Sequence, residues 1–311
     1  MTKQWALGLV AVFGLVSARP EAQTSPRAGL SAADFVAQAT ARYRFVEGIP
    51  YLTASGTDLQ LDVYTPQDRP GPHPTVIYIH GGGWRAGSRP GAALRVLPYL
   101  EMGFSVVNIS YRLTPVALAP AAVEDARCAL RWVVKNAKAY AFDVNKIIVT
   151  GHSAGGHLAL TTGFLPGGGE LDRECLGPEE PKVAAIVNWF GITDVADLLE
   201  GANQKVYAVQ WLAGLRDRRE IARETSPLTY VRAGLPPVLT IHGDADPVVP
   251  YSHATRLREA LTKVGSPNEL VTVPGGGHGT FTAEQMVPLH AALRSFLAKY
   301  SLMPAPVHAG H

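Results

Sequence analysis

The chain has 311 residues and a formal charge of 28 − 26 = +2. An apolar share of 47% with so small a net charge excludes a disordered chain and can fill a large core. The even balance speaks against a nucleic-acid binder or a polybasic membrane anchor, and two cysteines exclude a disulfide-framework mini-fold and a cysteine-rich metal site.

The first predicted element is an export signal. Lys3 precedes an apolar stretch at 5–16 that is too short to span a bilayer as a mature helix. Cleavage could follow Ala18 or Ala22; the second would leave Gln23 first but puts Pro20 at the awkward third position before the cut. The expected organisation is a signal peptide at 1–22, a lead-in at 23–50, one large domain at 51–300 and a mobile tail at 301–311, with His308 and His311 exposed. The expected location is secreted or periplasmic. No cysteine lies near the cleavage region, so a lipid anchor is not indicated. An oxidising compartment would favour pairing Cys128 with Cys175, although sequence alone does not measure their separation.

Beyond the lead-in, short β-rich runs alternate with helical stretches. Residues 59–64 alternate apolar and polar side chains, as a half-exposed strand does. Runs at 75–80, 104–109, 146–150, 183–188, 238–242 and 269–273 are short and apolar, several nearly continuous in Val and Ile, the pattern of strands buried on both faces. Helices are predicted at 92–102, 121–139, 154–164, 252–264 and 283–300. This alternation predicts a mostly parallel sheet flanked by helices on both faces, an α/β fold. The stretch 192–232 breaks the pattern and reads as a small insertion over the C-terminal edge of the sheet, where open α/β sheets bind ligands. Its charged run 216–220 reads as a solvated helix face.

The chemistry concentrates in three glycine-rich turns. Gly151-His152-Ser153-Ala154-Gly155 follows a predicted strand and opens a helix. That context makes G-x-S-x-G a nucleophile turn rather than an incidental serine. A serine hydroxyl needs a base, and in such folds the acid and the histidine follow it in that order. His278 sits behind Pro274-Gly275-Gly276-Gly277 after the last predicted strand. The acid is Asp244 or Asp246. Asp246 precedes the stiff Pro247-Val248-Val249-Pro250, whereas Asp244, between Gly243 and Ala245, suits a plain turn; Asp246 is chosen. In His80-Gly81-Gly82-Gly83-Trp84 the glycines can turn backbone N–H groups toward an oxyanion, so Gly82, Gly83 and Ala154 are the expected donors. The run lacks G-x-G-x-x-G and the Walker lysine of phosphate loops. Trp84, Trp189 and Phe190 follow strand ends, where they either line the substrate pocket or pack beneath the insertion.

Taken together, these motifs resemble an α/β-hydrolase of the hormone-sensitive-lipase-like and bacterial feruloyl-esterase-like (BD-FAE) group. The resemblance covers residues 51–300 and rests on LDVYTP at 61–66, HGGGW at 80–84, SYRLTP at 110–115, the acidic pair Glu124-Asp125, GHSAGGHLA at 151–159, NWFGITD at 188–194, HGDADPVVP at 242–250 and PGGGH at 274–278. It implies Ser153, Asp246 and His278 as the triad, Gly82, Gly83 and Ala154 as the oxyanion hole, and a structural role for Glu124-Asp125. The HGxxDxxVP pattern independently favours Asp246. The hormone-sensitive-lipase-like YRLAPE appears as Tyr111-Arg112-Leu113-Thr114-Pro115-Val116, and little room for cap helices precedes Tyr51, so the feruloyl-esterase-like branch is nearer.

The expected function is a secreted carboxylic-ester hydrolase acting through an acyl-enzyme, with no metal and no cofactor. Its expected partner is a small-molecule or polymer-borne ester with a short to medium acyl chain, or an acetyl or feruloyl group, and neither nucleic acid nor membrane. The rivals on the same fold are a serine peptidase, which normally carries a large N-terminal domain, an arylformamidase-like amidase, and a binding module, which typically lacks part of the triad.

Overall fold

The computed structural model describes residues 41–175, 177 and 181–305. The export segment and most of the lead-in lie outside these residues, as do His308 and His311.

Eight strands form one sheet: β1 (Tyr43–Ala54), β2 (Thr57–Pro66), β3 (His73–Ile79), β4 (Ser105–Ile109), β5 (Phe142–His152), β6 (Ala185–Trp189), β7 (Val238–Gly243) and β8 (Asn268–Val273). Their spatial order is β1-β2-β4-β3-β5-β6-β7-β8. The β1–β2 and β2–β4 pairs are antiparallel and the rest parallel. The central strands β3, β4, β6 and β7 are buried at every residue, which is why their sequences run apolar instead of alternating.

The helices are α1 (Ala93–Glu101), α2 (Ala121–Lys135), the single turn α3 (Ala137–Tyr140), α4 (Ala154–Phe164), α5 (Val206–Trp211), α6 (Arg218–Glu224), α7 (Ser252–Lys263) and α8 (Ala283–Lys299). One face of the sheet is covered by α2, α4 and α7 through Val123, Leu130, Leu158 and Leu257. The other is covered by α1 and α8 through Val96, Tyr99, Leu293 and Phe296. The start of α8 is written in Thr282 and Gln285: the Thr282 Oγ1 accepts the Gln285 N–H at 3.2 Å and Gln285 Oε1 accepts the Thr282 N–H at 2.9 Å.

Three boundaries differ from the sequence reading. Strand β1 begins at Tyr43, so the domain takes in part of the stretch read as lead-in. Its pattern is masked by Gly48 at φ 70°, by Pro50 and by two register shifts, features of an edge strand. The helix expected over 121–139 is interrupted at Asn136, whose Nδ2 donates to the Trp132 carbonyl at 2.8 Å; α3 then ends at Ala141 in the left-handed region at φ 54°. The tail is anchored at its start. Leu302 is buried in the α8 side of the core, Met303 packs against it, and Ala305 O accepts from Arg69 at 3.0 Å.

Two buried charge clusters tie neighbouring segments to α2. Behind β4, the Arg112 guanidinium reaches Asp125 at 2.7 Å and Glu124 at 3.1 Å, and the Arg112 N–H donates to Asp125 at 2.7 Å. The acidic pair therefore fixes the turn after β4. On the same helix, Arg127 grips buried Asp172 at 2.6 Å, and Cys128 is disulfide-bonded to Cys175 with a Cα–Cα distance of 5.5 Å. These contacts tie the 3-10 segment Glu170–Cys175 to α2.

Candidate active site

Register brings the glycine-rich turns together. Ile79 of β3 stands beside Gly151 of β5, Gly151 beside Asn188 of β6, Trp189 beside Ile241 of β7, and Gly243 beside Val273 of β8. The segments after β3, β5, β7 and β8 therefore all leave the sheet at its C-terminal edge.

Ser153 lies between β5 and α4 with φ 57° and ψ −120°, a conformation rare for a residue with a side chain. Two backbone bonds hold it there: its N–H donates to Trp189 O at 2.9 Å, and its own carbonyl accepts the His157 N–H at 3.0 Å. The flanking glycines are required by close approach. A Cβ on Gly151 would fall 2.4 Å from the Ile79 carbonyl, and one on Gly155 would fall 2.0 Å from the same oxygen.

Asp246 follows β7. Its Oδ1 accepts the Val248 and Val249 N–H groups at 2.8 and 3.0 Å, and its Oδ2 accepts Nδ1–H of His278 at 2.7 Å. Buried His242 places Nε2 3.3 Å from the same Oδ2 and also donates to Val249 O at 3.0 Å. Burial alone would raise this carboxyl. The hydrogen bonds from His242, His278 and the Val249 amide, with the nearby His278 charge, outweigh it and hold Asp246 well below the usual carboxylate range. Asp244 is exposed, and its Oδ1 accepts the Gly275 N–H at 2.7 Å. The two candidate acids thus separate: Asp246 orients His278, and Asp244 ties the loop after β7 to the loop after β8.

The loop after β3 is strongly bent. Gly82 has φ 118° and Gly83 φ 61°, and a Cβ on Gly82 would lie 2.0 Å from Ala86 O. The Gly82 carbonyl accepts from Arg85 and Ala86, each at 3.1 Å. Among the described residues no acceptor takes the Gly82 or Gly83 N–H. Ala154 is the first residue of α4, so its N–H has no partner within the helix.

Three histidines brace these turns in neutral form. Burial pushes His80 down to about 4; its Nδ1–H donates to Gly81 O at 2.8 Å and its ring stacks on Tyr111 at 4.3 Å. Burial, with Arg95 and His278 nearby, pushes His152 down to about 3, and Tyr78 donates its hydroxyl to His152 Nδ1 at 2.8 Å. Burial pushes His157 down to about 4; it donates Nε2–H to Thr225 O at 2.7 Å and accepts the Trp84 indole N–H at 3.2 Å.

Ser153 and His278 line one cavity of about 680 Å³, with Gly82 and Gly83 also in its wall. Of the three aromatic residues singled out in the sequence, only Phe190 lines it. Its ring stands edge-on to His278 at 4.8 Å. Trp84 is a correction. It is fully buried with φ 58° and stacks on Trp211 at 4.1 Å, because the glycine turn sends it under the insertion. Trp189 is a second correction: it is buried and stacks on His152 at 5.2 Å. Sequence reasoning missed Tyr207, Val248, Arg85 and Arg95 in the wall. Tyr207 comes from α5 of the insertion, so its position depends on how 192–232 folds back, and no local motif encodes that.

Among the described residues no cluster of three or more His, Cys, Asp or Glu is arranged to hold a metal ion, and no helix is long and apolar enough to cross a membrane.

Comparison with known proteins places this geometry. Esterase LipC of Mycobacterium tuberculosis is 32% identical over 228 residues, covering 70% of this chain and 56% of LipC. The chain thus spans about half the length of that relative. Carboxylesterase NlhH of the same species is 29% identical over 76% of this chain and 75% of its own. A truncated carbohydrate esterase from gut microbiota superposes with a TM-score of 0.72 at 30% identity, covering 84% of this chain and 98% of that one. The propionate-bound esterase 2 of Thermogutta terrifontis gives 0.69 at 28% identity, covering 85% and 96%. Residues 61–261, about two-thirds of the chain, match the BD-FAE family. With that match over the stretch that carries Ser153 and Asp246, and an α/β-hydrolase sheet beneath them, this chain belongs to the BD-FAE family of α/β-hydrolases.

Proposed function

We propose that the protein is a carboxylic-ester hydrolase that works through an acyl-enzyme on Ser153. The observation that carries this is the 2.7 Å bond from His278 Nδ1–H to Asp246, on a histidine that lines the same cavity as the strained serine. With Nδ1 carrying the proton, Nε2 keeps its lone pair and can take the Ser153 hydroxyl proton as Oγ attacks the ester carbonyl. Ionised Asp246 stabilises the imidazolium that results. The N–H groups of Gly82, Gly83 and Ala154 take the negative charge of the tetrahedral intermediate. His278 then protonates the departing alcohol, and water repeats the sequence on the acyl-enzyme to release the acid and restore Ser153.

The acyl group is short to medium, on a small or polymer-borne ester of the acetyl or feruloyl kind. In support, the Thermogutta esterase binds propionate and butyrate, and the gut relative is a carbohydrate esterase. Export to an oxidising compartment belongs to the same proposal and is supported by the Cys128–Cys175 disulfide.

The test is a panel of p-nitrophenyl acetate through laurate, methyl ferulate, acetylated xylan and an aminoacyl anilide, with wild type and Ser153→Ala. Wild type should cleave the short esters, and Ser153→Ala should lose at least about a thousandfold. Paraoxon, which phosphorylates the Thermogutta enzyme, should add a phosphoryl adduct to the Ser153 peptide alone. Full activity in the alanine variant would remove Ser153 from the mechanism. Cleavage of the anilide alone would replace the esterase with a peptidase.

A further inference from the structure

The wall of the cavity beside Ser153 carries arginines but no carboxylates. The arginines are Arg85, just past the glycine run, and Arg95, on α1. Among the described residues the buried arginines are matched: Arg112 has Asp125 and Glu124, and Arg127 has Asp172; half-buried Arg89, between the two cavity arginines in sequence, holds Asp62 at 2.7 Å. Among the described residues neither the Arg85 nor the Arg95 guanidinium has a carboxylate or hydrogen-bond partner. Two of the wall's three histidines, His80 and His152, are held neutral by burial, and the third, His278, is bonded to Asp246. Beyond Ser153 and the histidines, the remaining polar wall includes Tyr78, Ser88, Tyr207 and backbone from Gly81 to Gly83. A neutral acyl or alkyl group would make no use of this positive charge, whereas an anionic one would.

We propose that this cavity selects esters whose acyl or alcohol portion carries a carboxylate, held by Arg85 and Arg95. Half-esters of dicarboxylic acids and acyl groups on sugars that bear a carboxylate have that chemistry. The inference rests on the ester-hydrolase reading above. A guanidinium offers a planar pair of donors that matches a carboxylate in geometry as well as in charge. Both side chains are exposed, so solvent and salt weaken the attraction. The selection is therefore moderate and depends on ionic strength.

Two matched pairs of substrates test it. Mono-4-nitrophenyl adipate against 4-nitrophenyl hexanoate places the charge on the acyl arm. The 4-acetoxybenzoate anion against its methyl ester places it on the alcohol arm. The readout is the ratio of kcat/KM for the charged over the neutral member, in wild type and in Arg85→Gln/Arg95→Gln, which cancels the intrinsic reactivity of each ester. In one arm the ratio should be roughly tenfold higher in wild type and should fall as salt rises through the range where the Debye length shrinks below ~10 Å. The arm that responds identifies the side of the substrate that carries the anion. Ratios equal in wild type and variant in both arms, or indifferent to salt in wild type, overturn the proposal and leave the hydrolase reading intact. Should the double variant misfold by circular dichroism, the wild-type salt dependence and the single variants decide. If no member of either pair is cleaved, the ester-hydrolase reading itself fails, and this inference with it.

Discussion

Replacing Asp246 by asparagine asks whether the carboxylate works through its charge and acceptor pattern or merely fills space. The two oxygens have different duties. Oδ1 accepts two backbone N–H groups, and Oδ2 accepts His278 Nδ1–H. An amide has one acceptor and one donor end. If its NH₂ faces Val248 and Val249, two backbone bonds are lost and donors oppose donors, at about 1–3 kcal/mol for each group left unpaired. The cheaper choice turns the NH₂ toward His278, which forces the imidazole proton from Nδ1 to Nε2. The base then has no lone pair to offer Ser153. Loss of the right tautomer, together with the charge that steadies the imidazolium, should lower kcat by roughly 10⁴, or about 5.4 kcal/mol of barrier. The assay is kcat on p-nitrophenyl butyrate, with unfolding followed in parallel so that misfolding is not read as lost chemistry. Asp244→Asn is the control. It gives up one exposed bond to Gly275 and should stay within tenfold of wild type. An Asp246→Asn variant retaining a tenth of wild-type kcat, or a larger loss at Asp244, would refute the assignment.

Other predictions follow from the same contacts. Cys128→Ser, which opens a link between residues 47 apart, should cost about 4 kcal/mol and lower Tm by roughly 8–16 °C, with kcat at 25 °C preserved because neither cysteine lines the cavity; an unchanged Tm under reducing and non-reducing conditions counts against the link. His80 and His157 have folded values near 4 and His152 near 3, all below the ordinary 6.5, so their stabilisation is complete above 6.5 and is lost as pH falls toward 4. Denaturant unfolding between those limits should show stability dropping with a slope of up to about 1.4 kcal/mol per pH unit for each histidine; a flat profile would mean that the rings are already charged. Ser153→Gly should abolish esterase activity yet raise stability by about 1 kcal/mol, because it relieves the positive φ of the turn. A less stable glycine variant would show that the turn is not strained.

Much of the fold was legible because its signals are local. Continuous Val and Ile at 75–80 and 104–109 mark strands covered on both faces, and these became β3 and β4. Ala154–Phe164 emerged with the predicted ends because the nucleophile turn fixes one and Leu165, extended at ψ 135°, closes the other. What stayed hidden depends on contacts distant in sequence. Strand β1 is stabilised by pairing with β2, and its own pattern is broken by bulges. Leu302 reads as part of a loose tail until α8 brings it back against the core. Trp84 is the sharpest case. Its neighbours make up a catalytic-looking loop, yet its side chain is placed by Trp211 and His157, residues 127 and 73 positions away.

The candidate site shows why motif and pocket differ in legibility. The positions of Ser153, Asp246 and His278 follow from three rules that act over a few residues: a strand must end, a glycine must permit the turn, and neighbouring parallel strands must end at the same edge. Each rule leaves a mark in the sequence, so the three turns can be found one by one and then joined by register. The cavity wall obeys no such rule. Arg85 and Arg95 come from a turn and a helix that the sheet does not dictate, and Tyr207 comes from an insertion. The placement of these three residues is thus fixed by the scaffold, while the cavity wall is left to segments that can change without moving them. That division makes the arginine pair, rather than the serine, the place where this protein's specificity should be sought.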